Sequence, residues 1–313
     1  MKKLVSLILV GAMLFALAAC SQKDEPSGKV KIISSIFPSY DFAREICRGV
    51  DGAQVSMLIT PGTEPHSYEP SVRDMAAIKD CDLFIYLGGE SDEWVDAVLD
   101  SFDSDEISTL KMLDCVSPLE EEEVEGMQTE HSDEINASGE NDEHVWTSPQ
   151  NAVLISQAIK DKLCSADSEN AQKYTENFER YKAELLQLHN EYKQLFSSKD
   201  CTLVVADRFP FRYLAEDYGF KYYAAFPGCS TESDPSAATI AFLENKVREL
   251  GAKAVFYTEF SSQKVADTLC EATGVKKLML HSCHNVSKQD FDSGATYLSL
   301  MKNNLKNLQE ALN

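Results

Sequence analysis

After residue 19 the chain has no apolar run long enough to cross a bilayer, so the body of the protein is expected outside the membrane core. It also lacks a Gly-x-x-x-x-Gly-Lys-Ser/Thr loop, which excludes nucleotide hydrolysis by that route. There is no His-Glu-x-x-His or comparable helical zinc motif, which argues against the common metallohydrolase plan. No two cysteines form Cys-x-x-Cys, so redox and zinc-ribbon readings are weak. Basic residues are few: 29 Lys and Arg stand against 51 Asp and Glu, for a net charge of −22. Such a surface repels nucleic acid and anionic lipid and attracts cations. Histidine is scarce, six in all, so its placement carries information.

What is present begins at the N-terminus. Lys2 and Lys3 precede an apolar stretch over 4–19 that ends in Leu17-Ala18-Ala19-Cys20. A short basic start, a brief apolar core and a small-residue site describe an export signal rather than a spanning helix. The cysteine after Leu-Ala-Ala resembles a bacterial lipobox, in which Cys20 becomes the lipid-modified N-terminus. Residues 20–29 are too poor in apolar side chains to fold and are expected to be a tether. The expected location is therefore the extracytoplasmic face of the cell membrane, held by a lipid anchor.

About 290 residues remain, more than one core usually serves, so two domains are expected. Strand-length apolar runs lie at 30–36, 54–59, 82–87 and 109–113, then at 202–206, 221–225, 253–258 and 277–281. Four in each half, separated mostly by amphipathic segments, predict an α/β fold of two lobes. Each lobe would hold a mostly parallel sheet with covering helices. Between them Ala171, Tyr174, Phe178, Tyr181, Leu185, Leu188, Tyr192 and Leu195 recur at steps of three and four, the stripe of one long helix. It is expected over 165–198, capped by Asp167 or Ser168, and to join a lobe at 30–164 to one at 199–313. A coiled-coil dimer is the rival reading of that stripe. Residues 120–143 hold eleven acidic side chains, no Lys or Arg, and His131, with no periodic apolar face. A disordered acidic loop over 119–143 is expected there.

His66 follows the strand at 54–59, His144 precedes a helix, and His281 closes the strand at 277–281 with Ser282-Cys283-His284 after it. Asp207-Arg208 and Glu259 close two further strands. In open α/β sheets ligands bind beyond the carboxyl ends of the strands, and all these polar residues are placed on that edge. A lone histidine is usually structural; three at strand or loop ends of an acidic exported protein favour a shared metal site. Neutral imidazoles suit zinc and would serve manganese or iron less selectively. His189, on the long helix, is expected to be a solvated surface residue.

These segments resemble the metal-binding solute-binding proteins of ABC importers, the zinc and manganese binders whose lobes are joined by one rigid helix. The resemblance spans roughly residues 30–312. It rests on Ile36-Phe37-Pro38-Ser39-Tyr40-Asp41-Phe42-Ala43, Pro65-His66-Ser67-Tyr68-Glu69-Pro70, Asp142-Glu143-His144-Val145-Trp146-Thr147-Ser148-Pro149, Phe211-Arg212-Tyr213-Leu214-Ala215-Glu216-Asp217-Tyr218-Gly219 and Phe256-Tyr257-Thr258-Glu259. The resemblance implies metal ligands at His66, His144 and His281. Two positions depart from it. Arg208 stands where the family carries a His or Glu ligand, and it has no lone pair to give a metal. His281 stands where an Asp is common. The fourth ligand is left open among water, His284, Glu259 and Asp207. Arg208 is expected instead to pair with Asp207, Glu259 or Glu64 and so tie the lobes together.

The resemblance thus implies a lipid-anchored, non-enzymatic zinc receptor that passes its metal to an ABC permease served by a separate ATPase. A zinc-dependent surface metalloenzyme and an adhesin with a structural metal are the rival readings. Beyond Cys20 there are eight cysteines, an even number that permits disulfides without fixing them. A bridge between Cys229 and Cys283 is expected near the cleft, with a zinc-bound thiolate as its alternative.

Overall fold

The computed structural model describes residues 30–102, 107–129, 141–197, 200–230 and 234–313. The export signal, the tether, Cys20 and His131 lie outside the described residues. Each lobe is a four-stranded parallel sheet. The first holds β1 (Lys31–Ser34), β2 (Gln54–Met57), β3 (Leu83–Tyr86) and β4 (Ser108–Lys111) in the order β2-β1-β3-β4. The second repeats the plan with β5 (Thr202–Arg208), β6 (Lys221–Phe226), β7 (Ala254–Tyr257) and β8 (Lys276–Met279) in the order β6-β5-β7-β8. In both sheets the chain leaves its first strand one way and returns the other, which opens a crevice at the carboxyl ends of the strands. Strand interiors are apolar on both faces because helices cover both: Leu83, Phe84 and Ile85 are wholly buried, as are Val204 and Val205. Among the described residues no helix is long and apolar enough to cross a membrane.

The first lobe carries α1 (Phe37–Ile46), α2 (Val72–Lys79), α3 (Glu93–Asp100) and α4 (Pro149–Ala166). A 3-10 turn, Ser168–Asn170, then leads into the linking helix α5 (Ala171–Phe196), which begins later than expected because Asp167 and Ser168 belong to that turn. The second lobe adds α6 (Arg212–Tyr218), α7 (Ala237–Leu250), α8 (Lys264–Thr273), α9 (Lys288–Asp292) and α10 (Tyr297–Leu312). The stripe of α5 is inside the protein: Tyr174, Tyr181, Leu185, Leu188 and Tyr192 have no exposed surface. They belong to one apolar cluster that runs from Ile32 and Phe42 in the first lobe to Leu203 and Phe256 in the second. That leaves no stripe for a coiled-coil partner. Asn177 on α5 donates to the carbonyls of Ile46 and Arg48, both at 2.8 Å, and the Tyr192 hydroxyl donates to Met301 O at 2.8 Å. The linking helix is therefore bolted to both lobes.

Asp41, on α1, crosses between lobes. Its carboxylate accepts the Tyr297 N–H at 2.8 Å, at the start of α10, and pairs with Arg44. Burial pushes this carboxyl up from 3.8 to about 6, against the pull of Arg44. The ionised form is thus the one the fold disfavours. The stability gained from the neutral carboxyl is complete below about pH 4, declines as pH rises through about 6, and is absent at pH 7. Asp41→Asn keeps an acceptor for Tyr297 and removes the charge. It is expected to raise stability at pH 7 by on the order of 1–3 kcal/mol and to flatten the dependence between pH 4 and 6. Urea titrations of both proteins at pH 4.5 and 7 check this; an equal gap between them at the two pH values contradicts it.

The acidic segment departs from expectation over its described part. Glu120 bridges to Asn141, and the chain between 119 and 128 lies on the second lobe. Glu122 accepts from Tyr222 and pairs with Arg212, Gln128 N–H donates to Ala225 O, and Ser236 N–H donates to Gln128. Gly126 is in the left-handed region, and a Cβ there would meet the Phe242 ring at 2.2 Å, so glycine is needed for this approach.

Candidate metal centre

Four loops at the carboxyl edges of the two sheets meet in the crevice. His66 sits in the 3-10 turn Pro65–Ser67, which Pro65 starts by fixing its own φ. The loop before it is clamped by the second lobe. Asn285 donates its amide to Thr60 O at 2.9 Å and Thr63 O at 2.8 Å, and Gly62 N–H donates to Val286 O at 2.8 Å. His144 precedes the 3-10 turn Val145–Thr147, and the Ser148 hydroxyl caps α4 by accepting the Asn151 N–H. Trp146 wedges between the lobes. Its indole N–H donates to Ser282 O at 2.8 Å, its own carbonyl accepts from Tyr297, and its ring lies 4.7 Å from that of His284. Cys283 holds a φ of 62°, a left-handed conformation that side chains other than Gly and Asn rarely adopt. Strain of that kind gathers at functional sites, and here it turns His284 into the crevice.

The structure brings together His66, His144 and His284. One ring nitrogen from each lies within 4.8 Å of the others. Their ring centroids are 4.7 to 5.6 Å apart. Nε2 of His66, Nε2 of His144 and both nitrogens of His284 are buried without a hydrogen-bond partner. Orphaned buried polar atoms are costly, and three aimed at one point require an occupant. The cavity between them has a volume of about 30 Å³ and is also lined by Glu64, Arg208 and Glu259. That is room for about one water-sized species.

The outer atoms of the rings are fixed by carboxylates. His66 Nδ1 lies 2.7 Å from Glu64 Oε1, and His144 Nδ1 lies 3.2 Å from Asp142 Oδ1. A carboxylate on Nδ1 places the proton there and turns the Nε2 lone pair inward, the arrangement that orients metal-binding imidazoles. Arg208 Nη2 donates to Glu64 Oε2 at 3.2 Å across the crevice. Burial pushes the Glu64 carboxyl up, but the His66 hydrogen bond and the Arg208 charge outweigh it and hold it down to about 2. Burial, with the neighbouring His66, His144 and Arg208, holds His284 well below the ordinary histidine value, and burial likewise lowers His66. Both are neutral donors at pH 7. Burial also opposes charge on His144, but Asp142 prevails and raises it.

His281 does not join them. Its Nδ1 accepts the Cys283 N–H at 2.9 Å, and its Nε2, though buried without a partner, lies outside the set of three ring nitrogens that approach within 4.8 Å of one another. Asn304 fixes its backbone through 2.7 Å bonds to N–H and carbonyl. His281 therefore shapes the turn that presents His284. The remaining carboxylates are engaged elsewhere. Glu259 takes the Ser282 N–H at 2.8 Å and hydroxyl at 2.5 Å, while Asp207 takes the Thr258 hydroxyl at 2.7 Å and the Arg208 N–H at 2.9 Å. His189 is half-buried, and its Nδ1 lies 3.0 Å from the Tyr218 hydroxyl, rather than free in solvent. None of the eight described cysteines is joined in a disulfide. The expected Cys229–Cys283 bridge is absent because Cys283 points into the apolar core while Cys229 stands beside Asp142 and His144.

Residues 32–311 match the sequence model of a family described as the periplasmic component A of a zinc-uptake complex. The zinc-binding lipoprotein AdcA of Streptococcus pneumoniae is 33% identical over 310 residues, covering 99% of this chain and 61% of the relative. The chain thus spans about three fifths of that protein. The high-affinity zinc uptake system protein ZnuA of Bacillus subtilis is 31% identical, over 99% of this chain and 98% of its own length. The zinc-bound ZnuA-like domain of Streptococcus pneumoniae AdcA superposes with a TM-score of 0.74 at 31% identity, covering 91% of this chain and 99% of that domain.

Proposed function

From the premise that the chain belongs to the periplasmic zinc-uptake component family, we propose that it captures zinc between its lobes and delivers it to an ABC permease. The observation that carries this reading is the convergence of three unpartnered imidazole nitrogens in a cavity of about 30 Å³. His66, His144 and His284 supply three imidazole nitrogens, the fit for a tetrahedral zinc with one place open. Water takes that place, since Glu259 and Asp207 are committed to other donors. His284 thus replaces His281 in the expected ligand set. Manganese prefers carboxylate oxygens, and Glu64, which lines the cavity, is held by His66 and Arg208. The volume suits an ion and a water rather than an organic substrate, which favours a carrier over a hydrolase.

Capture would close the crevice without much lobe motion, because α5 and the shared core hold the lobes together. Cys20 would anchor the protein at the outer face of the membrane, beside the permease and its separate ATPase. Competition titration with a zinc chelator, with and without excess manganese, tests the proposal. One zinc per protein, bound far more tightly than manganese and without unfolding on its removal, is expected. Equal affinity for the two metals, or loss of the fold on chelation, refutes a zinc carrier.

A further inference from the structure

Behind the three-histidine centre lies a second convergence of metal-binding groups. Ligand atoms of Asp142, His144 and Cys229 all lie within 4.8 Å of one another. Asp142 and His144 are essentially without exposed surface, whereas Cys229 is half-buried and so marks the solvent side. The spacing of 3.2 Å between His144 Nδ1 and Asp142 Oδ1 is at the long end of the hydrogen-bond range. It matches the roughly 3.3 Å edge between two ligands held at about 2.0 Å in a tetrahedron.

The backbone is built for this approach. A Cβ at Gly228 would meet Phe209 O at 3.0 Å, Asp142 Oδ2 at 3.1 Å and His144 Cε1 at 3.3 Å, so a larger residue would have to push these neighbours back by a few tenths of an ångström and glycine eases the close approach of Cys229. The Cys229 N–H donates to Glu121 Oε1 at 2.8 Å, which ties the thiol to the acidic strap. Tyr213 donates to Asp142 O at 2.9 Å and fixes the aspartate from the second lobe.

We propose that Asp142, Nδ1 of His144 and the Cys229 thiolate form a loading site for zinc, occupied in alternation with the three-histidine centre. The proposal rests on the reading that Nε2 of His144 faces the first centre. In the loading state the Cys229 S–H bond breaks, its proton leaves to solvent, and a zinc–sulfur bond forms. His144 then binds through Nδ1 and carries its proton on Nε2. When the ion moves to His66, His144 and His284, the Nε2 proton leaves to solvent as the bond from Nε2 to zinc forms. Nδ1 and the thiolate each take a proton from water, and the Nδ1–H then donates to Asp142. One imidazole thus serves two positions through its two tautomers. Burial, with Asp142, Glu121 and Glu143 nearby, pushes the free thiol up, so without an ion Cys229 is a neutral thiol.

Cobalt tests this because it takes zinc's tetrahedral sites and shows a thiolate-to-metal charge-transfer band in the near ultraviolet. Full-length His66→Ala/His284→Ala protein, with the first centre removed, is expected to bind cobalt with that band. The band should vanish when Cys229→Ser is added. Wild type at one equivalent should bind cobalt without the band. Should the double variant fail to fold by circular dichroism, His284→Gln alone carries the same expectation. Absence of the band in the folded variant overturns the loading site. A full band in wild type at one equivalent overturns alternation, because the thiolate would then complete the first centre. Failure of wild type to bind cobalt at all would instead sink the three-histidine reading.

Discussion

His66→Ala, His144→Ala and His284→Ala each lower zinc affinity at least tenfold, on the order of 1.4 kcal/mol or more. Each removes one of three nitrogen donors that have no other partner in the fold. The effect should be largest for His144, whose ring is wholly buried and oriented by Asp142. His281→Asn is the control. Its amide oxygen can still accept the Cys283 N–H, so affinity should change by less than tenfold while the turn survives. Isothermal titration of the four variants reads this directly. A larger loss for His281→Asn than for His284→Ala would return the third ligand to His281.

The second large effect is on stability. Leu185→Ala, at the middle of α5, removes a side chain with no exposed surface from a cluster that spans both lobes. Large-to-small changes at such sites cost about 2–5 kcal/mol, because the lost transfer energy adds to the cavity left behind. For a protein of this size that lowers the melting temperature by roughly 4–10 °C. The transition should remain single, since α5 contributes to one continuous core. Calorimetry that resolved two transitions, only one of them shifted, would show that the lobes unfold independently.

The sheets were legible because buried parallel strands must be apolar on both faces, and runs such as Leu203-Val204-Val205 announce that in one dimension. The stripe of α5 was legible for the same reason, in a helical period. What escaped a linear reading depends on partners far along the chain. The acidic residues after Leu119 looked unpartnered, yet Glu122 finds Arg212 and Tyr222, and Glu121 finds the Cys229 N–H. His281 and His284 differ in sequence by three positions. The choice between them rests on a backbone turn at Cys283, a φ of 62° that spacing does not announce. The sequence placed His284 only among the alternatives for a fourth ligand. Trp146 and Asn285 escaped notice because each acts by a hydrogen bond to the opposite side of the crevice.

Anomalous diffraction at the zinc edge, from crystals of protein loaded with one equivalent of zinc, tests the central claim most directly. The account predicts a single strong peak about 2.0–2.1 Å from Nε2 of His66, Nε2 of His144 and a ring nitrogen of His284, with a water completing the tetrahedron. A peak bound by His281, or one that lacks any of these three histidines, would contradict it.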